Sequence, residues 1–202
     1  MSKIALTFDD GPVPGTTPTI LKTLRAAGIH ATFMLWGEHV QQHPDILKQA
    51  YQDGHAFGSH TFSHRSLTEL EDQQIKQELA RTDQVVMQVI GDKPQFFRPP
   101  YGNVDARVSH AAGRPAVTWS LDSEDWKSHD AVLILARIVR LAQDGDIVLM
   151  HDIQPATATV LPQVIDFLQA NDFHFVTIPE MFAGMMEPDC LYRSQNSIEK
   201  FE

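Results

Sequence analysis

KIALTFDDGP, residues 3–12, decides how the rest of the chain is read. Its apolar half, Ile4 to Phe8, has the length and composition of a buried strand. The strand ends in two adjacent carboxylates, Asp9 and Asp10, then Gly11 and Pro12. Like charges side by side at the mouth of a buried segment repel each other, so their placement calls for a chemical reason. An open doubly wound sheet often carries a glycine-rich phosphate loop after its first strand. Here DDGPVPG puts carboxylates where a phosphate would sit, which argues against nucleotide binding.

Outward from that strand the chain alternates. TPTILKTLRAAG (17–28) reads as a helix, with Thr17 as N-cap, Pro18 at the first helical position and Gly28 as the stop. Strand-like stretches recur at ATFML (31–35), HAFGS (55–59), QFF (95–97), AVTWSL (116–121), IVLM (147–150) and HFVTI (174–178). Helical patterns lie between them, the longest opening at a capping-box spacing of Ser66 and Glu69. About seven strands interleaved with helices imply parallel pairing through helical crossovers. The expected fold is α/β, a closed or nearly closed (β/α) barrel over residues 1–186, followed by a loose polar tail over 187–202.

The bulk numbers agree with one globular domain. The chain has 202 residues, 43% hydrophobic and 21% charged, enough for a full core. Its 16 basic and 26 acidic residues leave a net charge of -10, which disfavours nucleic acid as a partner. The single cysteine, Cys190, excludes a disulfide within one chain. No stretch has the length of a membrane span. No basic segment followed by an apolar run opens the chain. A cytoplasmic location is expected if Met1 is the native start, a secreted or periplasmic one if an export signal was removed. Oligomeric state is not readable from composition.

The informative pattern lies just past each strand. Asp9 and Asp10 come after the first, His60 and His64 after the third, Arg98 and Tyr101 after the fourth. Asp122, Asp125 and Trp126 come after the fifth, and His151 with Asp152 after the sixth. In a β/α barrel these ends share one face, the face that carries active sites. His60 and His64 are spaced i, i+4, which on a helical turn puts both rings on one side. Two histidines with one carboxylate make a common zinc set with an open position. Adjacency alone does not say which of Asp9 and Asp10 completes it. No nucleophile elbow of the G-x-S-x-G type and no H-E-x-x-H helix is present, and Cys190 sits away from the strand-end histidines.

Five segments together resemble the polysaccharide deacetylases with a NodB-homology domain, carbohydrate esterase family 4. They are TFDDG (7–11), HTFSH (60–64), RPPY (98–101), DSEDW (122–126) and LMH (149–151), in that order. The resemblance implies a distorted (β/α) barrel, usually short of eight repeats. It implies that Asp10, His60 and His64 hold a divalent metal, zinc by default, with cobalt or nickel as alternatives. It makes Asp9 the general base, paired with Arg98, and His151 the general acid, oriented by Asp125. The backbone N–H of Tyr101 would hold the oxyanion, and Trp126 and Leu149 would wall the pocket for the acetyl methyl group. Asp122 stands behind them as a supporting candidate.

The function implied is removal of acetyl groups from an oligo- or polysaccharide. N-Acetylglucosamine units of chitooligosaccharides or peptidoglycan come first, and O-acetyl groups of acetylxylan are the alternative for the same machinery. Two other classes compete on this fold: a cyclic-amide hydrolase and a non-catalytic glycan-binding protein. A complete ligand triad speaks against the first, and an intact base and acid against the second. His55, His110 and His129 match no motif and read as surface or satisfied core residues. His30, His39, His43 and His174 are given no role, and Asp152 reads as a local cap.

Overall fold

The computed structural model describes residues 2–202. Its strands in chain order are β1 (Ser2–Asp9), β2 (Thr32–Leu35), β3 (Ala56–Ser59), β4 (Ala116–Val117), β5 (Leu121–Asp122), β6 (Asp146–His151), β7 (Phe173–Phe175), β8 (Cys190–Ser194) and β9 (Ser197–Lys200). β1 is central and pairs in parallel with β6 along one edge. Its other edge is shared: the upper half pairs with β2 and the lower half with β7. β2 continues in parallel to β3. Phe97 then bridges Ser59 of β3 to Ala116 of β4, both in parallel, and this joins the two ends of the sheet. The result is a curled, distorted α/β barrel of mostly parallel strands, as expected.

Alternation along the strands explains what faces the barrel axis. On β1, Ile4, Leu6 and Phe8 pack outward on the helices, while Ala5 belongs to the inner cluster. On β6, Val148 and Met150 face the helices and Ile147 faces in. Period-two geometry therefore stacks Ala5, Thr7 and Asp9 in one inner row and Ile147, Leu149 and His151 in the next. Because both faces are buried, these strands read as unbroken apolar runs. The barrel is narrow: a Cβ on Gly58 would lie 2.4 Å from Met34 Sδ and 2.6 Å from the Phe96 ring.

Several expectations need correction. QFF is not a strand; only Phe97 makes the two bridges. AVTWSL breaks into β4 and β5, two residues each, and β5 moves across to pair with β6. The long helix starts at Asp72, after a separate 3-10 turn at Leu67–Glu69. Its capping box is Glu71 with Gln74 rather than Ser66 with Glu69. A short helix at Gly37–Gln42 adds to the expected elements.

The largest correction is the C-terminal stretch. Residues after 187 are not a loose tail. β8 pairs in parallel with β4 and forms an antiparallel hairpin with β9. Cys190, Leu191 and Tyr192 are all buried against the barrel. Burying one such side chain is worth about 1.5–3 kcal/mol. Deleting residues 187–202 is therefore expected to lower stability by several kcal/mol, read as a drop in the urea midpoint. An unchanged midpoint would mean that the hairpin contributes nothing.

Candidate active site

The parallel register brings the strand ends to one level. Asp9 is the direct partner of His151, and Ser59 is the partner of Phe97. The residues just past those positions therefore rise together around the mouth. They enclose a cavity of about 330 Å³ lined by Asp9, Asp10, His60, His64, Tyr101, Asp122, Trp126, Leu149 and His151, with Trp119 and Gln154. Arg98 and Asp125 lie beneath the cavity floor, each 0% exposed.

Asp10 leaves the strand through a left-handed backbone angle, φ 78°. This turns it away from the alternation that aims Asp9 inward. Thr61 (φ 66°), His64 (φ 56°) and Tyr101 (φ 63°) share that region without being glycine. Non-glycine residues in such conformations gather at functional sites, where surrounding contacts hold them. His60 and His64 are not on a helical turn, contrary to expectation. Their i, i+4 spacing works through an irregular turn containing two of those left-handed residues.

The cluster of Asp10, His60 and His64 has the character of a cation site. The Asp10 carboxylate oxygen Oδ1 is 3.3 Å from His60 Nε2 and 3.2 Å from His64 Nε2. The two Nε2 atoms are 3.2 Å apart. His60 donates from Nδ1 to the Arg98 carbonyl at 2.9 Å, which leaves Nε2 as a free lone pair. Asp10 Oδ1 is buried without a hydrogen-bond donor. Three lone pairs crowded this closely need a positive charge among them, and one divalent cation fits the oxygen and two nitrogens. Among the described residues this is the one such cluster. Burial opposes charge on Asp10, yet the two imidazoles hold its carboxyl well below the usual carboxylate range. Burial also opposes charge on His60, but the Asp9 and Asp10 carboxylates outweigh it and raise its pKa.

Asp9 is held differently. Its Oδ1 accepts from Arg98 Nη1 at 2.6 Å, and its Oδ2 stays 3.8 Å from His60 Nε2. Arg98 also donates to Thr7 Oγ1 and to the carbonyls of Val117 and Thr118. His151 donates from Nδ1 to Asp125 Oδ1 at 2.7 Å, and its backbone N–H donates to Asp125 Oδ2 at 2.7 Å. Thr157 Oγ1 donates to that same Oδ2 at 2.6 Å. Burial works against a charged His151, but the Asp125 carboxylate prevails and pushes the ring up to about 9. Trp126 Nε1 donates to Asp122 at 3.4 Å, which ties Asp122 to the rim.

Three site residues escape the sequence reading. Trp36 stacks on His64 at 4.7 Å and on His39 at 4.4 Å. His39, given no role, donates to the Asp10 carbonyl at 2.6 Å. Trp119 forms part of the cavity wall from within a segment read as continuous strand. Trp36 comes directly after β2, and that position is the available signal; Trp119 lies inside a stretch read as strand and carries none. The other histidines without motifs stay outside the cluster. His55 is buried, accepts from the Ala31 amide, and is lowered to about 4 by burial. His129 pairs with Gln154 at the rim. Asp152 does more than cap: fully buried, it accepts from Thr17 Oγ1 and is raised to about 7 by burial.

Comparison with known proteins gives the chain its place. A family model for polysaccharide deacetylase matches residues 1–118, more than half of it. The chain belongs to the polysaccharide deacetylase family. It is 38% identical over 185 residues to the peptidoglycan-N-acetylglucosamine deacetylase PgdA of Listeria monocytogenes, a match spanning 92% of this chain and 40% of that protein. The chain thus spans about two fifths of the length of the first curated relatives it matches. A solved structure of T48 deacetylase with substrate superposes with a TM-score of 0.91 at 37% identity, covering 95% of this chain and 96% of the other. A family 4 acetyl xylan esterase from Clostridium thermocellum, solved with a cobalt ion, gives 0.91 at 30% identity, covering 96% and 99%.

Proposed function

We propose that this chain is a cation-dependent carbohydrate deacetylase acting on the N-acetyl group of N-acetylglucosamine units, in chitooligosaccharides or peptidoglycan. The observation that carries this reading is a single cavity holding three things at once. They are the cluster of Asp10, His60 and His64, a carboxylate locked by a buried arginine, and an imidazole locked by a buried carboxylate. Binding alone needs neither a base nor an acid, and a hydrolase of acyl bonds needs both.

Asp10, His60 and His64 hold the cation in this reading. A divalent ion there, zinc by its donor set, supplies a Lewis acid that lowers the pKa of water and polarises the acetyl carbonyl. Asp9 takes the proton of the attacking water, and Arg98 keeps the Asp9 carboxylate aimed into the cavity. The Tyr101 backbone N–H donates to the oxygen on which negative charge develops. His151 hands a proton to the departing sugar nitrogen, and Asp125 fixes its tautomer and favours the imidazolium. Leu149 and Trp126 enclose the acetyl methyl. The products are acetate and a free amine. Tyr101 and Trp126, 65% and 50% exposed, leave the mouth open, which suits a sugar within a longer chain.

Acetate release from N-acetylglucosamine oligomers and from acetylated xylan, in the presence of zinc, tests the reading. Release from the oligomers is expected to dominate. Preference for xylan would move the function to O-deacetylation, a reading favoured by the likeness to the acetyl xylan esterase. No release from either would overturn the proposal.

The acid assigned to His151 makes a prediction about pH. A proton donor works only below its pKa, so activity should fall as pH rises through the pKa of His151. That group lies at about 9, against an ordinary 6.5. A cation at Asp10 pulls it downward, so the alkaline limb is expected between these two values. Asp125→Asn removes the carboxylate and should shift the limb toward 6.5 or below in a profile of kcat against pH. A limb unmoved by this substitution would mean that another group donates the proton.

A further inference from the structure

Two of the three residues that converge for a cation lie on a turn outside any regular element, residues 60–64. Thr61 and His64 hold left-handed angles there, at a cost of about 1–2 kcal/mol each. The contacts that hold this turn can be traced group by group. The Thr61 and Phe62 carbonyls accept from the amides of Gly37 and Glu38, at 2.9 and 3.0 Å. The close approach requires glycine: a Cβ on Gly37 would lie 2.6 Å from the Phe62 ring and 2.9 Å from its Cα. The His64 amide donates to Thr61 Oγ1 at 3.1 Å.

Two of the turn's amides converge on one side chain. Phe62 and Ser63 both donate from their backbone to Glu78 Oε2, at 3.0 and 2.8 Å. The Ser63 hydroxyl donates to Glu78 Oε1 at 2.9 Å. Glu78 sits on the helix Asp72–Ile90 and is only 7% exposed. A carboxylate is costly to bury, and a hydrophobic residue would pack there without that cost. Its three hydrogen bonds all go to the turn that carries His60 and His64, and bonds to an ionised acceptor are the strong kind.

We propose that Glu78 is a positioning residue for the cation site. By fixing the amides of Phe62 and Ser63 it sets where His60 Nε2 and His64 Nε2 stand relative to Asp10. The inference rests on reading Asp10, His60 and His64 as the cation ligands.

The test is cation affinity, measured on the full chain stripped of metal and then titrated with zinc against a chromophoric chelator. Cobalt titration followed by visible absorption reports ligand geometry independently of activity. Both are read at a temperature where circular dichroism shows every variant folded. Removing a partner that orients metal ligands typically weakens binding about 10–100-fold, and Glu78→Ala is expected to fall in that range with an altered cobalt spectrum. Glu78→Gln keeps an oxygen for the two amides and offers an N–H to Ser63 Oγ, so it should bind within a few-fold of wild type. That rescue separates hydrogen bonding from loss of charge.

A folded Glu78→Ala with wild-type zinc affinity and cobalt spectrum overturns the proposal, even if its melting temperature falls. If Glu78→Ala does not fold, Glu78→Asp carries the test: it keeps the charge but is one methylene too short for all three bonds. Unweakened binding by that variant also overturns the proposal. Failure of the wild-type chain to bind zinc or cobalt overturns the reading of Asp10, His60 and His64 themselves, and this inference with it.

Discussion

Asp9→Asn is expected to lower kcat by about 10²–10⁴-fold while the protein still binds its cation. Asparagine matches aspartate in shape and keeps an oxygen for Arg98 Nη1, which stands 2.6 Å from Asp9 Oδ1. It cannot accept a proton from water at any working pH. Asp9 is also no member of the ligand cluster, since its Oδ2 stands 3.8 Å from His60 Nε2 while Asp10 Oδ1 stands 3.3 Å away. Activity and bound zinc should therefore separate in this variant. Loss of both together would mean that the roles of Asp9 and Asp10 are exchanged. The repulsion between the neighbouring carboxylates is offset by separate partners: the Arg98 guanidinium for Asp9 and, in the proposed reading, a cation shared with His60 and His64 for Asp10.

Arg98→Met is expected to cost about 3–5 kcal/mol of stability, the usual penalty for breaking a buried ion pair from one side. The guanidinium is 0% exposed and stands at the centre of the barrel. It donates to Thr7 Oγ1 at 2.8 Å, Asp9 Oδ1 at 2.6 Å, Val117 O at 3.2 Å and Thr118 O at 2.8 Å. Methionine fills much of the volume and leaves every one of those acceptors without its donor, including an ionised carboxylate. Lysine is not expected to rescue it, because a single ammonium cannot reach acceptors spread around a planar fork. Urea unfolding followed by circular dichroism measures the loss. A change below about 1 kcal/mol would show that water replaces the guanidinium at no cost, and that the barrel centre is wetter than its packing implies.

The legible part of this protein is the part governed by period and position. Strands buried on both faces leave unbroken apolar runs, so IALTF and IVLM stand out, and the polar residues just past them can be collected at one end of the barrel. The illegible part depends on partners distant in sequence. CLYRS, with only three apolar residues among polar neighbours, becomes a buried strand because β4 offers it an edge. AVTWSL looks continuous, yet Thr118 to Ser120 lie between two short strands, with the Thr118 carbonyl turned to Arg98. The spacing of His60 and His64 suggests a helix. What places them is an irregular turn tied to the amides of Gly37 and Glu38 and to the carboxylate of Glu78. Position 78 lies on the buried stripe of its helix with Ile75, Leu79, Thr82 and Val86, so the period places it inward, but no local pattern says what a glutamate there would bind. Trp36 carries only the signal of following β2 directly, because its stacking on His64 depends on how β2 ends beside β3.

The cation cluster and the two locked side chains are read here as one hydrolytic site. Its decisive measurement is acetate release from N-acetylglucosamine oligomers, taken after chelation and again after zinc is added back. Chelation is expected to abolish release, one equivalent of zinc per chain to restore it, and zinc to restore nothing to Asp9→Asn. Full activity in the chelated protein, or equal restoration of the Asp9→Asn variant, would contradict a single cation-dependent site with Asp9 as its base.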